Sequence, residues 1–144
     1  MYIKVKKINQ NAIIPTLGSK YAAGVDLYAC INEDITINPH ETVKIGTGLS
    51  FELPECTFGA IVSRSGMATK QGLAPANKIG VCDSDYTGEY IVALHNHSGE
   101  PQTVHPNDRI AQLILMPYYK MNFIEVDELS ETERGAGGFG STGV

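Results

Sequence analysis

Of the 11 basic residues in this sequence only three are arginines, Arg64, Arg109 and Arg134, and each stands beside glycine, serine or aspartate rather than on an amphipathic face. A guanidinium grips phosphate at two points at once, whereas lysine offers a point charge. In Val62-Ser63-Arg64-Ser65-Gly66 a hydroxyl, a guanidinium and the N–H groups of a starting helix could meet one anion; the same residues also read as a serine cap beside a surface arginine. The run Arg134-Gly135-Ala136-Gly137-Gly138-Phe139-Gly140-Ser141-Thr142-Gly143-Val144 repeats the ingredients. Its glycines let N–H groups converge on an anion, Ser141 and Thr142 add donors, and Phe139 offers a flat face to a base. It lacks the lysine of a P-loop, and by composition alone it reads sooner as a flexible tail, against which Phe139 and Arg134 argue.

Gly80-Val81-Cys82-Asp83-Ser84-Asp85-Tyr86-Thr87-Gly88-Glu89 brings two carboxylates and an aromatic ring between glycines. In a strand Asp83 and Asp85 would share a face, and a carboxylate beside bound phosphate can take a proton from water; the pattern is also that of an ordinary hairpin turn. Asp26, in Ala22-Ala23-Gly24-Val25-Asp26-Leu27, is either a paired core acid or a group beside magnesium, since a magnesium held mainly by substrate phosphates needs only one or two carboxylates. Gln112 sits in an apolar strand where its amide must find a partner. His95 and His97 alternate on one strand, but two imidazoles make an incomplete zinc site and His105 is the only nearby third. Cys82, with no adjacent histidine, reads as a small hydrophobe.

These residues must be held by strands. Apolar residues recur with period two at Ile3/Val5, Val25/Leu27/Ala29/Ile31 and Val43/Ile45/Thr47/Leu49/Phe51/Leu53. The continuous apolar runs 90–94 and 110–116 suit strands buried on both faces. Only 65–71 looks helical, and Gly72 stops it. The predicted architecture is one all-β domain over 1–120, followed by an acidic, glycine-ended arm over 121–144.

At 144 residues the chain can carry its own core. A net charge of −5 argues against broad electrostatic binding to nucleic acid or anionic membrane, so any phosphate site is local. Three well-separated cysteines form neither a disulfide framework nor a zinc set, and there is no signal-peptide or membrane-length apolar run; the expectation is a reduced, cytoplasmic protein.

Taken in order, five segments resemble the five motifs of the trimeric dUTPase family: AAGVDL at 22–27, SRSG at 63–66, GVCDSDYTGE at 80–89, DRIAQ at 108–112 and RGAGGFGSTG at 134–143. The resemblance implies a jelly-roll-like distorted β-barrel that forms a homotrimer with shared active sites and uses Mg²⁺ to hydrolyse dUTP to dUMP and pyrophosphate. It implies that Asp83 activates the attacking water, that Asn77 and backbone groups of Gly80 and Val81 contact uracil, and that Tyr86 packs under deoxyribose. Arg64, Ser65, Gly66 and Gln112 would contact phosphate, and Asp26 the metal's water shell. In the arm, Arg134 would meet the γ-phosphate, Phe139 would stack on uracil, and Gly140, Ser141 and Thr142 would line the phosphates. Arg109 has no assigned role. Cys82, Met67 and Asn107 depart from the usual aliphatic residue, leucine and glycine without removing a motif side chain. A dCTP deaminase, the nearest rival on this fold, uses a glutamate base and lacks the closing glycine-rich motif.

Overall fold

The computed structural model describes residues 2–138. Its elements are β1 (Lys4–Lys7), β2 (Thr16–Leu17), β3 (Val25–Tyr28), β4 (Ile35–Ile37), β5 (Thr42–Gly46), β6 (Leu49–Glu52), β7 (Thr57–Val62), α1 (Ser65–Lys70), β8 (Leu73–Pro75), β9 (Gly80–Asp83), β10 (Ile91–Asn96), β11 (Gln102–Val104) and β12 (Arg109–Pro117). Every strand pairing is antiparallel. A five-stranded sheet, β2-β3-β12-β7-β9, faces a three-stranded sheet, β5-β10-β8, with the pairs β1-β6 and β11-β4 at the ends. This is the jelly-roll-like all-β fold with one short helix; its sheets remain separate and do not close into a continuous barrel.

Side chains from both large sheets and the end pairs meet in one core, in which Leu27, Ile45, Leu49, Val92, Leu94 and Ile110 are essentially inaccessible. Each such side chain contributes about 1.5–3 kcal/mol by leaving water.

The alternating run 43–53 is two strands. It breaks at Gly48, whose φ of +67° is the left-handed region glycine tolerates and where a Cβ would lie 2.8 Å from both Ala12 Cβ and Cys30 Sγ. Thr47 closes the corner by donating its backbone N–H and hydroxyl to the Tyr90 carbonyl, and Glu89 Oε1 accepts the Gly48 N–H at 2.8 Å. The chain thereby leaves the three-stranded sheet and pairs with β1 while keeping its apolar side inward.

The apolar run 90–94 also differs from expectation: in the single chain β10 alternates, with Val92, Leu94 and Asn96 buried and Ile91 exposed. Asn96 is tolerated there because its amide donates to the Ile37 and Glu100 carbonyls and its oxygen accepts from Ser98. Beyond β12, residues 118–138 contain no strand or helix, and Tyr119, Phe123 and Leu129 are almost wholly exposed. Exposed apolar side chains of this kind, here interspersed with Glu125, Asp127 and Glu128, are characteristic of a surface that another molecule covers.

Candidate active site

Three neighbouring strands deliver the first cluster. The register sets Gln112 of β12 against Asp26 of β3 on one side and against Val62 of β7 on the other, two residues before Arg64. Asp26 breaks the inward-apolar pattern of its strand: its side chain is only 3% exposed, so its charge must be met by partners. Arg64 Nε donates to Oδ1 at 3.0 Å, Gln112 Nε2 to the same oxygen at 3.3 Å, and Arg109 Nη1 to Oδ2 at 3.2 Å. Arg64 Nη1 also donates to the Arg109 carbonyl at 3.3 Å. Two guanidiniums on one carboxylate leave a net positive charge, and Lys70 joins them around an open cleft of about 290 Å³ lined also by Gly66, Gln71 and Asp108.

Helix α1 begins at Ser65, so the cap position belongs to Arg64, which makes no side-chain cap bond; the serine-cap reading does not hold. The first intrahelical bond runs from Ala68 N–H to the Arg64 carbonyl, which leaves the N–H groups of Ser65 and Gly66 without an intrahelical acceptor. A Cβ added at Gly66 would meet nothing within 4 Å, so packing within the chain does not call for glycine there.

The second cluster lies on edge strand β9 and the turn after it. Asp83, opposite Phe58 of β7, is exposed, and its side chain makes no hydrogen bond or ion pair among the described residues. Asp85 does not share its strand: the chain turns at Asp83–Tyr86, with Tyr86 N–H donating to the Asp83 carbonyl at 3.1 Å. Tyr86 Oη donates to the Glu89 carbonyl at 3.0 Å, and its ring lies on that of Tyr90, centroids 6.0 Å apart at 29°. Gly88 leaves room for the Tyr86 ring, because a Cβ there would come within 2.6 Å of Tyr86 Oη and push that side chain aside. Gly80 is hemmed in by Ile61 and the Asn77 amide, while Val81 points outward. Burial, with the Asp83 charge adding to it, pushes the Cys82 thiol up, as suits a packing residue rather than a nucleophile.

The two clusters do not meet within one chain. Asp83 stands opposite Phe58 and Gln112 opposite Val62. Four residues along β7 and two strand spacings across it separate the backbones of Asp83 and Gln112 by roughly 16 Å. Asp26, one strand further, is roughly 19 Å away. Arg134 stands apart from both, its Nε donating to the Gly137 carbonyl at 2.9 Å. Phe139, Gly140, Ser141 and Thr142 lie outside the described residues.

Among the described residues no three His, Cys, Asp or Glu side chains are arranged to hold a metal. His95 and His97 touch edge-on, but His105 is engaged elsewhere, 2.9 Å from Asp34. Both Asp26 oxygens already accept bonds, so Asp26 is not free to serve as a direct metal ligand, and any metal here would have to take its inner ligands from elsewhere. Sequence reasoning had no role for Lys70 and left Arg109 open between a structural salt bridge and a substrate contact; the structure places Arg109 in an ion pair with Asp26 at 3.2 Å.

The comparisons bear on both clusters at once. A family model described as dUTPase matches residues 10–143. The deoxyuridine 5'-triphosphate nucleotidohydrolase of Nautilia profundicola is 50% identical over 143 residues, 99% of either chain. That of Desulfitobacterium hafniense is 52% identical over 132 residues, 91% of this chain and 87% of the relative. Among solved structures, a dUTPase variant of Staphylococcus bacteriophage 80alpha with dUpNHpp superposes with a TM-score of 0.88, at 27% identity and with 99% of either chain covered. No helix among the described residues is long and apolar enough to cross a membrane. With the segments that build both clusters inside the matched span and half of all positions shared with a relative end to end, this chain belongs to the dUTPase family.

Proposed function

We propose that the protein hydrolyses dUTP to dUMP and pyrophosphate in a homotrimer whose active sites are built across chains. The observation that carries this reading is the separation of two complementary half-sites on one strand. Near one end of β7 lie the Asp83 carboxylate and the Tyr86 ring, and near the other the basic cluster of Arg64 and Arg109 with Asp26 and Gln112. A triphosphate spans well under the roughly 16 Å between them. A neighbouring copy supplies the missing half, and the exposed apolar stretch after β12 is the kind of surface such an assembly covers.

In this reading uracil lies against Asn77 and the backbone of Gly80 and Val81, and the deoxyribose rests on Tyr86, whose ring leaves no room for a 2′-hydroxyl. Asp83 accepts a proton from water. The water oxygen bonds to the α-phosphorus, the bond from that phosphorus to the α,β-bridging oxygen breaks, and pyrophosphate leaves with the electron pair. An exposed carboxylate with no partner of its own is free to take that proton. Arg64, the N–H groups of Ser65 and Gly66, and Gln112 hold the phosphates, and the open space at Gly66 is where a phosphate approaches most closely. When bound with the triphosphate, Mg²⁺ would supply charge neutralisation, and Asp26 is the carboxylate that would reach it through water. The arm over 121–144 closes on a neighbour's site, bringing Arg134 to the γ-phosphate, Phe139 to uracil, and Gly140, Ser141 and Thr142 to the phosphates.

Purified protein with Mg²⁺ is expected to release pyrophosphate from dUTP and not from UTP, dTTP or dCTP. Equal release from UTP would refute the role of Tyr86; binding of dUTP without release would refute hydrolysis and make the protein a nucleotide sensor.

A further inference from the structure

Tyr86 is exposed and belongs to an irregular turn, yet excluding a single hydroxyl requires its ring to be fixed to within a fraction of an ångström. Its own hydrogen bond, Oη to the Glu89 carbonyl at 3.0 Å, fixes one end only and leaves the ring free to swing about that point. What stops the swing lies underneath. Tyr90 is fully buried, its ring 6.0 Å from that of Tyr86 and nearly parallel at 29°, and it rests in turn on Phe51 at 4.6 Å and 53°. These are offset-stacked and tilted geometries that aromatic pairs favour. The three rings form a column from the core to the surface of the turn after β9. From the side, Gly88 leaves just enough space for the Tyr86 ring, since a Cβ there would stand 2.6–2.8 Å from its Oη, Cζ and Cε2 atoms.

Packing alone does not account for a tyrosine at position 90. Its hydroxyl is buried and makes no hydrogen bond of ordinary geometry among the described residues; the Cys82 thiol beside it is a weak partner, so the hydroxyl remains a liability that an aliphatic residue of the core would avoid. The ring is what the site uses.

We infer that Tyr90 is a positioning residue for sugar selection, its buried ring holding the Tyr86 ring forward against the place of a 2′-hydroxyl. This rests on the proposed dUTP hydrolysis. Without the stack the Tyr86 ring can recede, and the site then accepts the ribose sugar it formerly excluded. The effect appears as a gain for UTP, whereas a loss of general stability lowers both substrates together.

The test is kcat/KM for dUTP and for UTP in Tyr90→Met, which keeps flexible apolar volume but no ring face, and in Tyr90→Phe, which keeps the ring and drops only the hydroxyl. Tyr90→Met is expected to lower the dUTP-to-UTP ratio at least tenfold, mainly through a rise for UTP. Tyr90→Phe should keep the ratio within twofold with a melting temperature no lower than that of the parent. An unchanged ratio in folded Tyr90→Met overturns the inference. If that variant does not fold, Gly88→Ala decides: its methyl displaces the Tyr86 ring from the other side, and a ratio within twofold of the parent again overturns it, while a fall supports it. A parent protein that turns over UTP as readily as dUTP removes the underlying function instead, so the two failures are told apart.

Discussion

Asp83→Asn is expected to lower kcat for dUTP about a thousandfold, the middle of the range a positioned general base contributes, while KM changes by less than about threefold. The amide keeps the size and polarity of the carboxylate but cannot accept the water's proton at neutral pH. The fold should not notice. Asp83 ends an edge strand, is exposed, and its side chain makes no ion pair or hydrogen bond among the described residues, so the substitution falls in the class that costs within about 0.5 kcal/mol. Steady-state kinetics beside a thermal melt separates the cases: turnover within threefold of the parent would remove Asp83 from the chemistry, and a collapsed melt would make it structural.

Asp26→Ala has the opposite profile, with stability and activity falling together. The parent carboxylate accepts three bonds, from Arg64, Arg109 and Gln112. Removing it leaves two guanidiniums facing each other over a small void. Breaking a buried pair from one side costs about 3–5 kcal/mol; because half of the Arg109 side chain is in solvent, the lower end, about 3 kcal/mol, is expected. The melt should drop by roughly 6–12 °C. The cleft becomes more positive by one charge, which favours phosphate binding, but Arg64 loses the contact that aims it. A displacement of about 1 Å costs on the order of a hundredfold in rate, so kcat should fall more than KM improves. Unchanged melting and turnover would show that the guanidiniums are held by something else.

The parts of the fold that sequence shows are those decided by near neighbours. Alternation at Val25/Leu27 and Val43/Ile45, the short helix at Ser65–Lys70, and the turn after Asp83 all follow from residues a few positions apart, whereas the hairpin reading of 80–89 fails because β9 pairs with β7 and β10 with β5 and β8. The corner at Gly48 escaped because polar and apolar residues go on alternating through it, and only the crowding of Ala12 and Cys30 marks it. Asp85 looked like a strand residue for the same reason. The ion cluster was half legible: Asp26, Arg64 and Gln112 each stood out, but their meeting depends on pairings between residues 38 to 86 positions apart, which no local pattern encodes. Arg109 became meaningful only when β12 was laid beside β3. Tyr90 was hidden in an apolar run where a phenol passes for one more hydrophobe.

The placing of the two half-sites at opposite ends of β7 has a consequence for inheritance. If neighbours complete each other's sites, a chain damaged only in its base half spoils one site of a mixed trimer, and a chain damaged in both halves spoils two. Lesions in Asp83 and in Arg64 carried on different chains would therefore complement, because one interface in the mixed assembly would join two intact halves. The same two lesions on one chain would not. Coexpressing the two single variants and finding turnover above either alone would reveal that arrangement, and its absence would place the complete site within a single chain.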